Sequence, residues 1–282
     1  KKKDLSNKNV IHICKNGIHY FQFRKLLKYK DIINHAYSLG IDRNYRTART
    51  ENVNPLSENE KSNAEKDYEK LCEAIETNYI NIVKPIQTHT KNIKIVQMKI
   101  NKNKPDFHVE EYKDTDGLVT NQKKIILSTT NADCILLLFF DPVKKVIANV
   151  HSGWKGTLQK ISVEAVRKMK KEYGCEPEDI ICCICPSIRK CHFEVREDVQ
   201  KPYYSEFKEL EKIDDIIVKI PDTDKWIIDT VEINKIILEK EGLKEENLLD
   251  SGICSVCNSD LVHSYRAEKQ GYGLNTALIE LR

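Results

Sequence analysis

The segment NADCILLLFFDPVKKVIANVHSGWKG, residues 131–156, constrains the fold more than any other stretch of the chain. Two apolar runs flank Asp141-Pro142-Val143-Lys144. Proline at the second position of a turn has its φ already set, which favours a type I or II β-turn and therefore a hairpin. The run CILLLFF is far shorter than the ~20 apolar residues a membrane helix needs. It has the length of a strand buried on both faces. If the strands pair directly from that turn, Cys134 faces His151 across the ladder, with Cβ atoms ~4.5–5.5 Å apart. A thiol and an imidazole placed so can hold one ion or exchange one proton. For such a pair taken alone, a buried cysteine beside a core histidine is the commoner arrangement.

The flanking sequence supplies the rest of the fold. VIHICKNGIHYFQF (10–23) predicts a hairpin turning at Asn16-Gly17. SENEKSNAEKDYEKLCEAIE (57–76) predicts a helix capped by Ser57, with Glu60 completing a capping box. NIKIVQMKI (92–100), KKIILSTT (123–130) and DIICCIC (179–185) predict strands. GTLQKISVEAVRKMKKEYG (156–174) predicts one amphipathic helix stopped at Gly174, and DTVEINKIILEKEG (229–242) a second stopped at Gly242. The tail, 261–281, predicts short strands around a glycine-bearing loop. Strands and helices mix without a βαβ rhythm. The expected class is therefore α+β, a layered mixed β-sheet core flanked by helices. No repeat or linker divides the chain, so residues 1–282 are expected to form a single catalytic domain.

Charge narrows the partners. The net charge is +3, and Lys and Glu are interspersed, which gives no case for nucleic acid or a membrane surface. The opening KKKDLSNKN is expected to be a solvated terminus. A chain with 10 cysteines can carry disulfides, but Cys182, Cys183 and Cys185 crowd one strand, a poor layout for them. A reducing, cytoplasmic setting is expected.

A third donor, His89, lies in the polar segment IQTHTKN. Three Cys and His ligands suit Zn²⁺ with a fourth position left open, the arrangement of catalytic zinc, and Cu²⁺ competes well for the same donors. Downstream of His151, Gly153, Lys155 and Gly156 open a helix whose free amides can receive an anion. Asp133 and Asp116 can orient a ligand or move a proton, or simply cap a turn. Two other readings use the same residues. One is a metal-free hydrolase with Cys134 as nucleophile and His151 as base. The other is a binding module stabilised by structural zinc on Cys254 and Cys257 of CSVC with Cys185 and Cys191. A copper oxidase fits poorly: the histidines are His12, His19, His35, His89, His108, His151, His192 and His263, and none form an H-x-H pair.

In order along the chain, QTH (87–89), DGLVT (116–120), NADC (131–134), VHSGWKG (150–156), CPSIRKCHFEV (185–195) and SYRAEKQGYG (264–273) resemble the motifs of the YfiH/LACC1 family. That family was once labelled multicopper polyphenol oxidase and is now associated with purine nucleoside phosphorolysis. The resemblance implies a layered α+β fold shared with cytotoxic-necrotizing-factor-like enzymes. It implies His89, Cys134 and His151 as metal ligands and catalytic residues. Lys155 or Arg266 would be the cationic partner of phosphate. The implied substrates are adenosine, inosine, guanosine or methylthioadenosine with phosphate, adenosine deamination is a further activity, and a monomer or homodimer is expected. The chain departs from the family pattern at Asn131 (usually Thr), at Arg189-Lys190 (Gly-Pro) and at His192 (a second Cys). Leu274 stands near the place of a final Arg, and residues 37–53 do not clearly match the family's T-T-R-x-G-G-V-S stretch.

Overall fold

The computed structural model describes residues 3–47, 57–97, 102–107 and 109–282. It is α+β, with two large mixed sheets stacked between helices. The first sheet has seven strands in the order Val10–Lys15, Ile18–Phe23, Ile33–Leu39, Asn275–Leu281, Ile126–Asn131, Ile82–Lys84, Asp106–Phe107. The second has six, in the order Leu248–Asp250, Ile181–Ile184, Ile135–Asp141, Val146–Ser152, Gly117–Thr120, Ile93–Ile95.

The unbroken apolar run of the central hairpin follows from this layering. Side chains alternate across a strand. Leu136, Leu138 and Phe140 point between the sheets, where they meet Phe21, Ile33, Leu127 and Ile279. Ile135, Leu137 and Phe139 point the other way, onto Ile161, Ala165, Val166 and Met169 of helix Ile161–Tyr173. The outer face of the first sheet is covered by helix Glu58–Ala74, through Tyr68 and Leu71 against Ala36, Ile126 and Leu278. Both sheets are thus covered on both faces, so neither hairpin strand has a polar side to show.

Local chemistry sets the ends of these elements. Asn16 and Gly17 adopt positive φ in the first hairpin turn, and Lys15 pairs with Ile18. Ser57 and Glu60 form the capping box at the start of the Glu58–Ala74 helix. Asp229 caps helix Thr230–Lys240 by accepting from the Glu232 amide, and Gly174 ends helix Ile161–Tyr173 in the left-handed region.

Four expectations change. The helix expected over 156–174 is two, Trp154–Leu158 and Ile161–Tyr173, broken where Lys160 takes φ 59°. The first piece is anchored at Thr157, whose hydroxyl meets Ser152 Oγ and Asn234 Nδ2, while the second follows the sheet. The tail holds one seven-residue strand, Asn275–Leu281, at the middle of the first sheet instead of short strands. The N-terminus docks: Asn7 and Asn9 donate to the carbonyls of Ser251 and Asp250. Of the strand expected over 92–100, Ile93–Ile95 is a strand and residues 98–100 lie outside the described residues, as do His108 and part of 37–53.

The hairpin register is the fourth. Val146 pairs with Asp141 and His151 with Leu136. The turn therefore holds four residues, because Asp141 Oδ1 accepts from the amides of Val143 (2.8 Å) and Lys144 (3.0 Å) and Lys145 takes φ 54°. Continued outward, this ladder sets Cys134 across from Gly153, with His151 on the diagonal.

Candidate metal centre

The site forms where both hairpin strands run out. His151, on the last turn of pleat in Val146–Ser152, points to the same inter-sheet side as Ile147. Cys134 lies just before Ile135–Asp141, on the side of Leu136. A diagonal offset still lets a sulfur and an imidazole meet, since such neighbours are ~7–8 Å apart at their backbones. What permits the approach is Gly153. A Cβ there would lie 2.8 Å from His89 Cδ2, 3.2 Å from Cys134 Sγ and 3.4 Å from His151 Cε1.

His89 arrives from a loop fastened at two points. Gln87 takes the place of a neighbouring strand: its Oε1 accepts from the Thr130 amide and its Nε2 donates to the Thr130 carbonyl, both at 2.8 Å. His89 itself has φ 63°, a left-handed conformation that a non-glycine residue keeps only when its surroundings hold it. Asp116 does so. Its Oδ1 accepts from the His89 amide (3.0 Å), and its Oδ2 from the Thr90 amide (2.7 Å) and hydroxyl (2.8 Å).

Asp116 also fixes His151, whose Nδ1–H donates to Oδ1 at 2.8 Å. That bond selects the tautomer and leaves Nε2 as the free donor atom, the usual second partner of a metal-binding histidine. The ligand atoms of His89, Cys134 and His151 all lie within 4.8 Å of one another, with His89 Nε2 at 4.0 Å from Cys134 Sγ. His151 is buried, Cys134 half-buried and His89 exposed, so the group opens to solvent on one side.

The electrostatics fit a cation. Burial alone would raise the Cys134 thiol, but His151 and His89 beside it bring it down to about 6. Burial alone would lower His151, but the Cys134 sulfur and Asp116 raise it to about 10. Burial would likewise raise Asp116, and its bonds to His151 and Thr90 keep it below the usual carboxylate range. One thiolate and two imidazoles, with a fourth direction open, are a donor set that Zn²⁺ accepts.

The other residues singled out from sequence are placed as follows. Asp133, at φ 88°, accepts from Ser255 Oγ and Ser264 Oγ on Oδ1 (both 2.6 Å) and from the Arg266 amide on Oδ2 (2.7 Å). Its oxygens tie loops together. Arg266 donates Nη1–H to the His192 carbonyl (3.0 Å) and Nη2–H to that of Glu194 (3.3 Å). Lys155 is exposed, its Nζ 5.5 Å from the centre of the Trp154 ring. Gly156 is buried against Ile161 and the carbonyls of Thr90 and His151, so its lack of a side chain serves packing. The helix carrying Gly156 has five residues, too few for much dipole. Asn131, where the family pattern has Thr, donates to the carbonyls of Cys134 (2.6 Å) and Pro186 (3.0 Å) and so steadies the Cys134 loop. Cys185 does not join the cysteines of CSVC in a donor group; it is buried between the sheets, and burial raises its thiol.

A groove of about 410 Å³ starts at Trp154, the residue after Gly153, and is lined further by Phe193, Val199, Lys225 and Arg266. Its outer wall is a small sheet of Glu194–Val195, Trp226–Ile228 and Ile217–Lys219. Tyr203 joins the wall to the site by donating its hydroxyl to the Trp154 carbonyl at 2.6 Å. The key role of Asp116 was weakly signalled: an isolated Asp before Gly117 has no spacing that ties it to His89 or His151.

Among known proteins, residues 42–282 match the family described as multi-copper polyphenol oxidoreductase laccase. The purine nucleoside phosphorylase YlmD of Bacillus subtilis is 30% identical over 218 residues, 77% of each chain. The purine nucleoside phosphorylase LACC1 of Mus musculus is 32% identical over 59% of this chain, which spans only 38% of that protein. Adenosine deaminase RL5, from an unknown prokaryote, is 28% identical over 66% of this chain and 70% of its own. In fold, the chain is similar to the hypothetical protein YfiH of Bacillus licheniformis, with a TM-score of 0.79 at 21% identity over 95% of this chain and all of that one.

Proposed function

The chain belongs to the multi-copper polyphenol oxidoreductase laccase family, and from that membership we propose that it is a purine nucleoside phosphorylase working at His89, Cys134 and His151. The observation that carries the reading is the three-donor group, open on one side; Trp154, which follows Gly153 in the chain, lines a groove of a size suited to small molecules. Relatives named purine nucleoside phosphorylase, from bacteria and mammals, support the reaction class. Zn²⁺ is the ion assigned, with Cu²⁺ a competitor for the same donors. Bound there, the ion supplies positive charge that orients phosphate or relieves charge on the departing base. Residues 1–282 are assigned as one catalytic domain acting in the cytoplasm, as a monomer or homodimer.

The chain's own residues divide the remaining work. Asp116 keeps the proton of His151 on Nδ1 and holds the His89 backbone, so two ligands share one anchor. Trp154 and Phe193 offer aromatic surface for a purine, and Arg266 offers charge for phosphate, while Lys225 is paired with Glu194. A phosphate oxygen bonds to ribose C1′ as the bond from C1′ to the purine nitrogen breaks. The electron pair leaves on the base, which takes up the proton that the hydrogen phosphate gives up. Free purine and ribose 1-phosphate result.

Purified protein given inosine and phosphate is expected to release hypoxanthine and ribose 1-phosphate, and neither without phosphate. Absence of free base from adenosine, inosine, guanosine and methylthioadenosine alike would refute the reading. The similarity to adenosine deaminase RL5 favours a second activity, inosine and ammonia from adenosine without phosphate. The lowered Cys134 thiol and raised His151 also suit a metal-free hydrolase, for which activity would survive complete chelation.

A further inference from the structure

Four more donors meet outside the open site. Cys191 and His192 lie in the loop that follows strand Ile181–Ile184, and Cys254 and Cys257 in a C-x-x-C turn. One ligand atom from each lies within 4.8 Å of all the others. Cys191 Sγ is 3.8 Å from Cys257 Sγ. His192 Nδ1 is 3.2 Å from Cys191 Sγ, 3.6 Å from Cys254 Sγ and 3.5 Å from Cys257 Sγ. Zinc bonds of ~2.3 Å to sulfur and ~2.0–2.1 Å to nitrogen, set tetrahedrally, put sulfurs ~3.8 Å apart and sulfur and nitrogen ~3.5 Å apart. Three of its edges match these values, the His192 to Cys191 edge is a little shorter, and the other two lie within 4.8 Å. The three cysteines are free thiols, and the exposed Cys191 and Cys257 leave a path for entry.

We propose that Cys191, His192, Cys254 and Cys257 bind a structural Zn²⁺, separate from any ion at the open site. Three thiolates and one imidazole fill a tetrahedral shell and leave no place for substrate, so the ion fastens chain to chain. The two segments are joined on one side by Ser187 and Ser255, through bonds from the Ser187 amide to the Ile253 carbonyl and from the Ser255 amide to the Ser187 carbonyl. The ion closes the other side. Beyond His192 the chain runs directly into Phe193, which lines the groove, and the His192 carbonyl receives Arg266. Ser255, inside the C-x-x-C turn, donates to Asp133, the neighbour of Cys134. A fixed 191–192 and 254–257 junction therefore sets the groove wall against the open site. This assignment holds whichever reaction the open site performs.

Metal counting on the intact protein tests it. Wild type is expected to hold two zinc ions per chain, Cys134→Ala one, and Cys257→Ser one, with the thermal midpoint of Cys257→Ser lower by on the order of 5–10 °C. Cys257 is exposed, so its serine variant is the one least exposed to misfolding; Cys134→Ala loaded with Co²⁺ gives a second readout that needs no further variant. Its spectrum is expected to show thiolate charge-transfer bands and intense tetrahedral d–d bands. A wild type holding a single metal that Cys134→Ala abolishes would overturn the proposal, as would a Cys191–Cys257 disulfide in protein isolated without reductant.

Discussion

The two donor groups of this chain differ in number, in origin and in support. The His89, Cys134 and His151 group has three members, drawn from a loop and from the ends of two strands of the second sheet, and one buried carboxylate steadies two of them. The Cys191, His192, Cys254 and Cys257 group has four, all from loops. An incomplete shell on a rigid frame can bind something else; a complete shell on loops can only hold the loops. The comparison teaches that donor identity says little about role until the count and the scaffold are known. Both groups contain cysteine and histidine, yet only one leaves a direction open.

The sharpest way to break the contrast is to remove one sulfur from each group. Cys134→Ala is expected to lower turnover by about 10³-fold or more, since a lost metal removes several kcal/mol of transition-state stabilisation. Its thermal midpoint should fall less than that of Cys257→Ser, because strands and Asp116 already hold the donors of the open site. Cys257→Ser should show the reverse pattern, with stability lost, KM raised as the groove wall loosens, and kcat reduced far less than in Cys134→Ala. Equal damage to both properties in both variants would erase the distinction. A smaller effect is expected for Asp116→Asn, which keeps the shape but weakens the hold on His151 and His89. Chelator competition should show metal affinity down about 10–100-fold, against no change for a variant of the surface Lys155.

Gly153→Ala probes the frame instead of the ligands. Its φ of −68° suits alanine, so the added Cβ acts only through its contacts with His89, Cys134 and His151. A loss of metal affinity of about tenfold is expected, at the lower end of such supporting effects, with the midpoint of unfolding unchanged. Unaltered affinity would mean that the three donors are looser than their packing indicates.

Legibility followed physical locality. The Asn16-Gly17 hairpin, the Ser57 cap and the Gly174 stop are written in neighbouring residues and could be read directly. The central hairpin was readable as a hairpin, but its register depended on Asp141 folding back on the amides of Val143 and Lys144. That one side-chain choice moved Cys134 from His151 to Gly153. The binding-module reading groups Cys185 and Cys191 with CSVC, yet Cys185 is buried between the sheets and His192 stands in the fourth place of the group. Asp116 and Gln87 act through contacts that no spacing encodes. The family resemblance pointed to the three donors more strongly than their separations did.

A pH titration separates loss of metal from loss of the fold. Burial lowers His35 to about 3, and its Nε2 accepts from the Phe23 amide at 2.7 Å, so the folded ring stays neutral. An unfolded imidazole titrates near ~6.5. The stability that the neutral ring contributes is complete above that pH and is lost as pH falls from there through about 3, because the unfolded chain then binds the extra proton. Denaturant midpoints should decline over that window in metal-free protein as well as in loaded protein, and His35→Gln should flatten the decline. The same slope in the variant would assign it to other groups.

The central claim is that His89, Cys134 and His151 hold a metal together. Anomalous diffraction at the zinc edge from crystals of the wild-type protein tests it most directly. The account predicts a peak about 2.0–2.3 Å from His89 Nε2, Cys134 Sγ and His151 Nε2, with a fourth ligand that is not protein. A structure at that edge with no peak between these three atoms, in protein that turns over nucleoside, would contradict it.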